Sequence, residues 1–210
     1  MVSNEALHFA SAFVSTMVAP MTTVLTMPRR PLLAEAAIVA VALLVLLAMG
    51  RAPICTCGTI TLWVGARDSA ETSQMLTDWY SASHIVHGLL FYAALWLALR
   101  RWPVEWRFVL ALAIEASWEV IENTPMVIDR YRQATAALGY NGDSVLNSMS
   151  DVAMMALGFL AARKLPLWGA TLLLIVLELV PLFAIRDNLT LNVLMLVAPS
   201  KAIALWQAGG

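Results

Sequence analysis

Five stretches of mostly apolar residues dominate the chain, each close to the roughly 20 residues a helix needs to cross a bilayer. They run from Leu32 to Met49, His84 to Leu99, Val104 to Ile121, Val145 to Ala162 and Pro166 to Ile185. A sixth stretch, Leu189 to Trp206, is interrupted by Pro199, Ser200 and Lys201, which leaves neither half long enough to span. The pattern predicts an all-α fold: a polytopic membrane helix bundle of about five transmembrane helices plus a C-terminal interfacial or half-inserted helix. Only 13% of the residues are charged, about half the share of a soluble domain, and 60% are hydrophobic. A soluble enzyme and a disordered tail are thereby excluded. So is a nucleic-acid partner, because 13 basic residues against 14 acidic ones leave no basic face for phosphates.

Basic residues orient such a bundle. Arg29, Arg30, Arg100, Arg101, Arg107, Arg163 and Lys164 fall on one side of the expected spans, in tight clusters. Arg51, Arg67, Arg130, Arg132, Arg186 and Lys201 fall on the other, mixed with Asp68, Glu71, Asp78, Asp129, Asp143 and Asp187. The clustered side is expected to be cytoplasmic and the mixed side exoplasmic, which puts the start of the first span in the cytoplasm. Two sizeable outer loops then run from about Arg51 to Ser83 and from about Asn123 to Ser144. Residues 1–28 are expected to be an N-terminal extension outside a single transmembrane domain at 29–210. The stretch before Met27 lacks the basic start of a signal peptide, and Met27-Pro28-Arg29-Arg30 reads as a natural beginning.

Ionisable residues inside a membrane are costly and usually mark function. Four groups stand out. His84 and His87 share a helix face at i, i+3, where they can hold a metal or relay protons; they can equally cap the helix and bond to loop carbonyls. Glu115, Glu119 and Glu122 form a stripe at i, i+4, i+7. Three anions there require protons, cationic partners or a metal, although Glu122 alone can sit at the interface and pair with Arg130 or Arg132. Asp143, Asn147 and Asp151 follow at i, i+4, i+8, with Asp143 or Ser144 a natural N-cap. Glu178, Arg186, Asp187 and Asn192 surround the outer end of the fifth span, within reach of a charge network.

All four groups lie toward the outer ends of their spans and can together form a polar cavity open to that side. The catalytic candidates are His84, His87, Glu115, Glu119, Asp143 and Asp151. Glu122, Asn123, Arg130, Arg132, Ser144, Asn147, Arg186, Asp187 and Asn192 are binding candidates. A divalent metal ion is a candidate cofactor, with His84, His87, Glu119 and Asp151 as its ligands. Three readings of the cavity remain: acid–base or metal chemistry on a lipid-linked or cell-envelope substrate; non-catalytic binding of an ion, a lipid or a partner protein; or internal pairing that fixes helix packing.

Three local motifs carry less. Gly142-Asp143-Ser144 is similar to a hydrolase nucleophile motif, but that class needs an α/β sheet and none is expected. Cys55-x-Cys57 with His84-x-x-His87 has the composition of a Cys₂His₂ zinc site, with a cysteine gap shorter than the usual two to four residues. Arg130-Tyr131-Arg132 can bind a phosphate or lipid headgroup or pair with Asp129 and Asp143.

A longer set of residues resembles a known family. It comprises Ile54-Cys55-Thr56-Cys57-Gly58, Leu76-Thr77-Asp78-Trp79-Tyr80, Ser83-His84-Ile85-Val86-His87-Gly88, and Glu115 with Trp118-Glu119 and Glu122-Asn123-Thr124-Pro125. Arg130-Tyr131-Arg132, Tyr140 with Gly142-Asp143-Ser144, Asn147, Asp151 and Arg186-Asp187-Asn188-Leu189-Thr190-Leu191-Asn192 complete it. From about residue 30 to the end, the chain resembles an uncharacterised family of bacterial, mainly alphaproteobacterial, integral-membrane proteins of the DUF2585 or UPF0314 type. The resemblance implies a multi-pass protein of the bacterial inner membrane and no particular activity. A looser similarity to VanZ-like proteins, which carry an Asp-to-His stretch opening a helix, a mid-helix Glu and a later Asp with Asn, implies envelope or lipid-linked chemistry.

Overall fold

The computed structural model describes residues 29–137 and 139–209. The expected N-terminal extension lies outside the described residues. Among these the chain is all-α, with eight helices: α1 (Arg29–Ala48), α2 (Ser81–Ala98), α3 (Val104–Glu122), α4 (Pro125–Ala134), α5 (Val145–Lys164), α6 (Leu167–Ile185), α7 (Leu189–Val197) and α8 (Lys201–Gln207).

Four of them, α1, α2, α5 and α6, are long and apolar enough to cross a membrane. Twenty residues make a helix of about 30 Å, the thickness of the hydrocarbon layer. α1 and α6 turn most of their apolar surface outward, as with Phe183 and Trp168. Water would not tolerate such faces, and lipid does. The third expected span, α3, has the same length (19 residues) but carries too many ionisable residues to qualify by composition. It buries Glu115 and Glu119 and exposes Ile114 and Ile121, so its outer face is apolar as well.

The centre of the bundle is the contact between α2 and α5, where Gly88 and Gly158 let two backbones touch. A Cβ at Gly88 would lie 2.0 Å from the Met155 carbonyl oxygen, and one at Gly158 would lie 2.0 Å from that of Ile85. Leu89, Tyr92, Ala111, Leu112, Val152, Met155, Phe159 and Ala162 pack around this contact. It draws the start of α5 against the start of α2, and the end of α3 closes the same end of the bundle.

The first outer loop is fastened to that end. Backbone N–H groups of Val145 and Leu146, which open α5 and have no partner within the helix, donate to the carbonyls of Ala52 and Pro53. Asn147 Nδ2 donates to the Met75 carbonyl at 2.9 Å, and Ser144 Oγ to that of Gln74 at 2.9 Å. Arg51 reaches across to the carbonyls of Asp143 and Asn141, occupying the space a Cβ at Gly142 would need. Arg67 donates to the Ile185 and Gln207 carbonyls, tying the loop to α6 and α8.

Two expectations are corrected. The second outer loop is not simply a loop: it contains α4, which begins with Pro125 in its first turn and buries Ile128, Tyr131 and Ala134. Cys55 and Cys57 are bonded to each other, so neither thiolate can join His84 and His87 in a zinc site. The interrupted sixth stretch forms two short helices, α7 and α8, with the break at Ala198 to Ser200.

Candidate functional site

The histidine pair sits in the first two turns of α2 and meets the glutamates of α3. His84 Nδ1 lies 2.6 Å from Glu115 Oε1, and His87 Nδ1 lies 3.1 Å from Glu115 Oε2. The same His84 nitrogen is 3.5 Å from Glu119 Oε1. On its other side, His84 Nε2 faces Asp151 Oδ2 of α5 at 3.8 Å. Asp151 also accepts a hydrogen bond from Ser81 Oγ at 3.2 Å. The imidazoles stand edge to face, with centroids 5.2 Å apart, and His87 stacks on Phe91. The expectation that these histidines cap their helix through loop carbonyls does not describe them: their partners are carboxylates on two other helices.

Glu119 is the exception within this cluster. It is fully buried, yet among the described residues neither of its oxygens accepts a hydrogen bond. Buried polar atoms nearly always have a partner. Two trios, His84, His87 and Glu115 on one hand and His84, Glu119 and Glu122 on the other, each bring their ligand atoms within 4.8 Å of one another.

A second polar group adjoins the first. Asn123 Nδ2 donates to Asp143 Oδ2 at 2.7 Å, and the Asp143 backbone N–H donates to Asn123 Oδ1 at 2.7 Å. Tyr140 O–H donates to both Asp143 oxygens at 3.0 Å. Burial pushes the Asp143 carboxyl and the Tyr140 and Tyr131 phenols above their ordinary pKa values. Tyr131, from α4, lines the same cavity as Glu122.

Between these groups lies a cavity of about 270 Å³. Its polar side consists of His84, His87, Glu115, Glu122, Asp143, Asp151, Tyr80, Tyr131, Tyr140 and Asn192, and its apolar side of Phe91, Ile114, Trp118, Leu189, Val193 and Leu196. Of the expected site residues, seven therefore line one cavity: His84, His87, Glu115, Glu122, Asp143, Asp151 and Asn192. Glu119 touches His84 from behind it.

The remaining candidates have other partners. Ser144 is the N-cap of α5, accepting from the Asn147 N–H, and Asn147 holds the first loop. Asn123 braces Asp143. Arg130 donates to the Leu196 carbonyl, and Arg132 to the Tyr140 carbonyl and to Asn141, with Asp129 an ion-pair partner at 3.6 Å. Among the described residues neither arginine pairs with Glu122. Arg186 donates to the Trp206 carbonyl. Among the described residues Glu178 forms no ion pair; it accepts from the Thr190 N–H and hydroxyl at the start of α7. Asp187 is buried, with partners Tyr80, Gln207 and the Asn188 N–H, and burial raises its pKa to about 6. The expected metal ligands are redistributed too: Glu115 and Glu122 belong to the close trios, while Asp151 stands outside them.

Sequence reasoning passed over Tyr80, Tyr131 and Tyr140 as site residues. A tyrosine is ordinary near a membrane surface, so it creates no local anomaly. The one available signal was the period of Ile128, Tyr131 and Ala134, which marks the inner face of a short helix.

Comparison with known proteins adds relatives without assigning an activity. A family described as "Protein of unknown function (DUF2585)" matches residues 46–209. A "UPF0314 protein" of Sphingopyxis alaskensis is 51% identical over 183 residues, covering 85% of this chain and 95% of that protein. One from Novosphingobium aromaticivorans is 52% identical over 172 residues, covering 80% and 87%. One from Rhizobium meliloti is 52% identical over 178 residues, covering 85% and 90%. No solved structure matches. The names of these relatives state no activity and do not mention VanZ-like proteins. The chain belongs to the DUF2585 family of proteins of unknown function.

Proposed function

We propose that this is a bacterial inner-membrane protein whose cavity takes an amphiphilic, lipid-linked or cell-envelope substrate and acts on it with the His84, His87, Glu115 and Asp151 side chains. The observation that carries this reading is the division of the cavity into a polar half and an apolar half. The apolar half continues onto outward-facing surface: Ile114 is 41% exposed and Val193 49%. A ligand with a hydrocarbon part can enter sideways from lipid and bring its polar end to the histidines. A purely polar solute would leave the Phe91, Trp118 and Leu196 walls without use. The clustered arginines favour a cytoplasmic start of α1 and with it a periplasmic cavity.

The test is native mass spectrometry of the purified protein against bacterial phospholipids and a polyprenyl phosphate. Val193→Trp, which fills the mouth from an exposed position, is expected to lose a retained amphiphile while keeping helicity. Equal retention by wild type and Val193→Trp would overturn the reading. Reporter fusions before α1 and after α8 check the orientation.

A further inference from the structure

We propose that His84, His87, Glu115 and Glu119 bind one divalent transition-metal ion at the polar end of the cavity. The inference deepens the reading of that site.

Two independent observations converge on it. The first is geometry. The Nδ1 atoms of both histidines point at one carboxylate, Glu115, and these ligand atoms lie within 4.8 Å of one another. The second is Glu119. It is fully buried, its Oε1 is 3.5 Å from His84 Nδ1, and neither oxygen has a hydrogen-bond partner among the described residues. A bound cation gives that carboxylate the partner it lacks.

Charge points the same way. Glu115, Glu119, Glu122 and Asp151 crowd around two imidazoles, and among the described residues no Lys or Arg forms an ion pair with any of them. The four carboxyl groups outnumber the two imidazoles, so a cation is the charge that would let them ionise together. On the far side of His84, where metal-bound histidines usually have a second partner, Nε2 faces Asp151 Oδ2 at 3.8 Å, and Asp151 is itself held by Ser81. Two imidazoles and two carboxylates suit a borderline ion such as Zn²⁺, Fe²⁺ or Mn²⁺ better than Ca²⁺ or Mg²⁺, which favour oxygen alone. His87 and Glu115 line the cavity, so the ion would face the bound amphiphile.

The experiment needs no substrate. Full-length protein in detergent is stripped with chelator, reloaded with Zn²⁺ or Co²⁺ alone, desalted and assayed for metal by mass spectrometry. Wild type is expected to hold about one ion per chain. His87→Gln and Glu119→Gln are expected to weaken binding by at least about tenfold, whereas Glu71→Gln, on the exposed loop, keeps wild-type content. Co²⁺ in wild type is expected to show the visible d–d absorption of a low-coordinate nitrogen and oxygen site, a readout that does not depend on any variant folding. Wild type that retains no ion, Co²⁺ that shows only its aqueous spectrum, or full metal content in both variants would overturn the proposal. So would loss of metal in Glu122→Gln with full content in His87→Gln, because the ligand set would then be the other trio. Amphiphile retention by wild type and Val193→Trp is measured separately, so either reading can fail without the other.

Discussion

Two buried polar groups share one end of the bundle, and they are built on opposite terms. In the Asn123–Asp143 group every donor has an acceptor: the Asn123 amide donates to the Asp143 carboxylate and accepts from the Asp143 backbone N–H, and Tyr140 adds a third bond. In the His84–Glu115–Glu119 group two carboxylates approach one imidazole nitrogen, and Glu119 has no hydrogen-bond partner among the described residues. A satisfied network rigidifies a fold, whereas a partly satisfied one is costly in a low-dielectric interior. The difference teaches that polar burial here serves two ends. One group holds α3, α5 and the second outer loop in place. The other is held in place by them.

The comparison breaks most completely if the platform beneath both groups is disturbed. Gly158→Ala puts a methyl 2.0 Å from a backbone oxygen that cannot swing aside, so α2 and α5 must separate. That separation parts His84 from Asp151 and loosens the start of α5 together. A loss above about 3 kcal/mol is expected, toward the upper end for overpacked cores, read as a fall in unfolding midpoint in detergent. Alanine at Gly139, where a Cβ meets nothing within 4 Å, is the control.

Asn123→Ala attacks the satisfied group alone. It strips a partner from Asp143 Oδ2, from the Asp143 N–H and from Ser148. Leaving such groups buried and unpaired is expected to cost about 2–3 kcal/mol in the same measurement.

Much of this was legible in the sequence. The apolar runs located α1, α2, α3, α5 and α6 to within a few residues, because twenty apolar positions in a row admit few alternatives. His84, Glu115, Glu119 and Asp151 stood out because a charge inside such a run is an anomaly that needs a partner. α4 was not visible, being short and polar, and its inner stripe of Ile128, Tyr131 and Ala134 is weak against its arginines. The tyrosines were missed for a related reason: Tyr131 and Tyr140 matter through contacts with Glu122 and Asp143, made by a chain reversal that no local pattern announces. The expected pairing of Arg132 with Asp129 is present, whereas the Leu196 and Tyr140 carbonyls that Arg130 and Arg132 also reach are brought near by the fold and leave no mark in the sequence.

Asp187 tests an intermediate case, a carboxylate that is partnered and yet strongly desolvated. Its pKa is raised from 3.8 to about 6, so between those values the folded chain keeps a proton that the unfolded chain has released. Folding stability from this group is therefore fully present below pH ~4 and falls as pH rises through about 6. The total is on the order of 3 kcal/mol. The unfolding midpoint of wild type minus that of Asp187→Asn should decline across this window and level off above it. A difference that rises with pH would refute the desolvation argument.

The smallest expected effect is the most informative about the unsatisfied group. Glu119→Gln keeps the shape of the side chain and removes its charge. In a group that exists to hold the fold, such a change costs several kcal/mol, because breaking a buried pair strands the partner. Here His84 keeps Glu115 at 2.6 Å, and the carboxyl removed accepts no hydrogen bond among the described residues. In chelator-treated protein the change in stability is therefore expected to stay within about 1 kcal/mol, since glutamine replaces a buried carboxyl of the same shape and strands no hydrogen-bonded partner. Unfolding of metal-free wild type and Glu119→Gln side by side measures it. A loss as large as that of Asn123→Ala would mean that Glu119 braces the bundle, and the contrast between the two polar groups would collapse. A small or favourable change would mean that the fold carries this carboxylate at its own expense, which selection tolerates only at a position used for something other than folding.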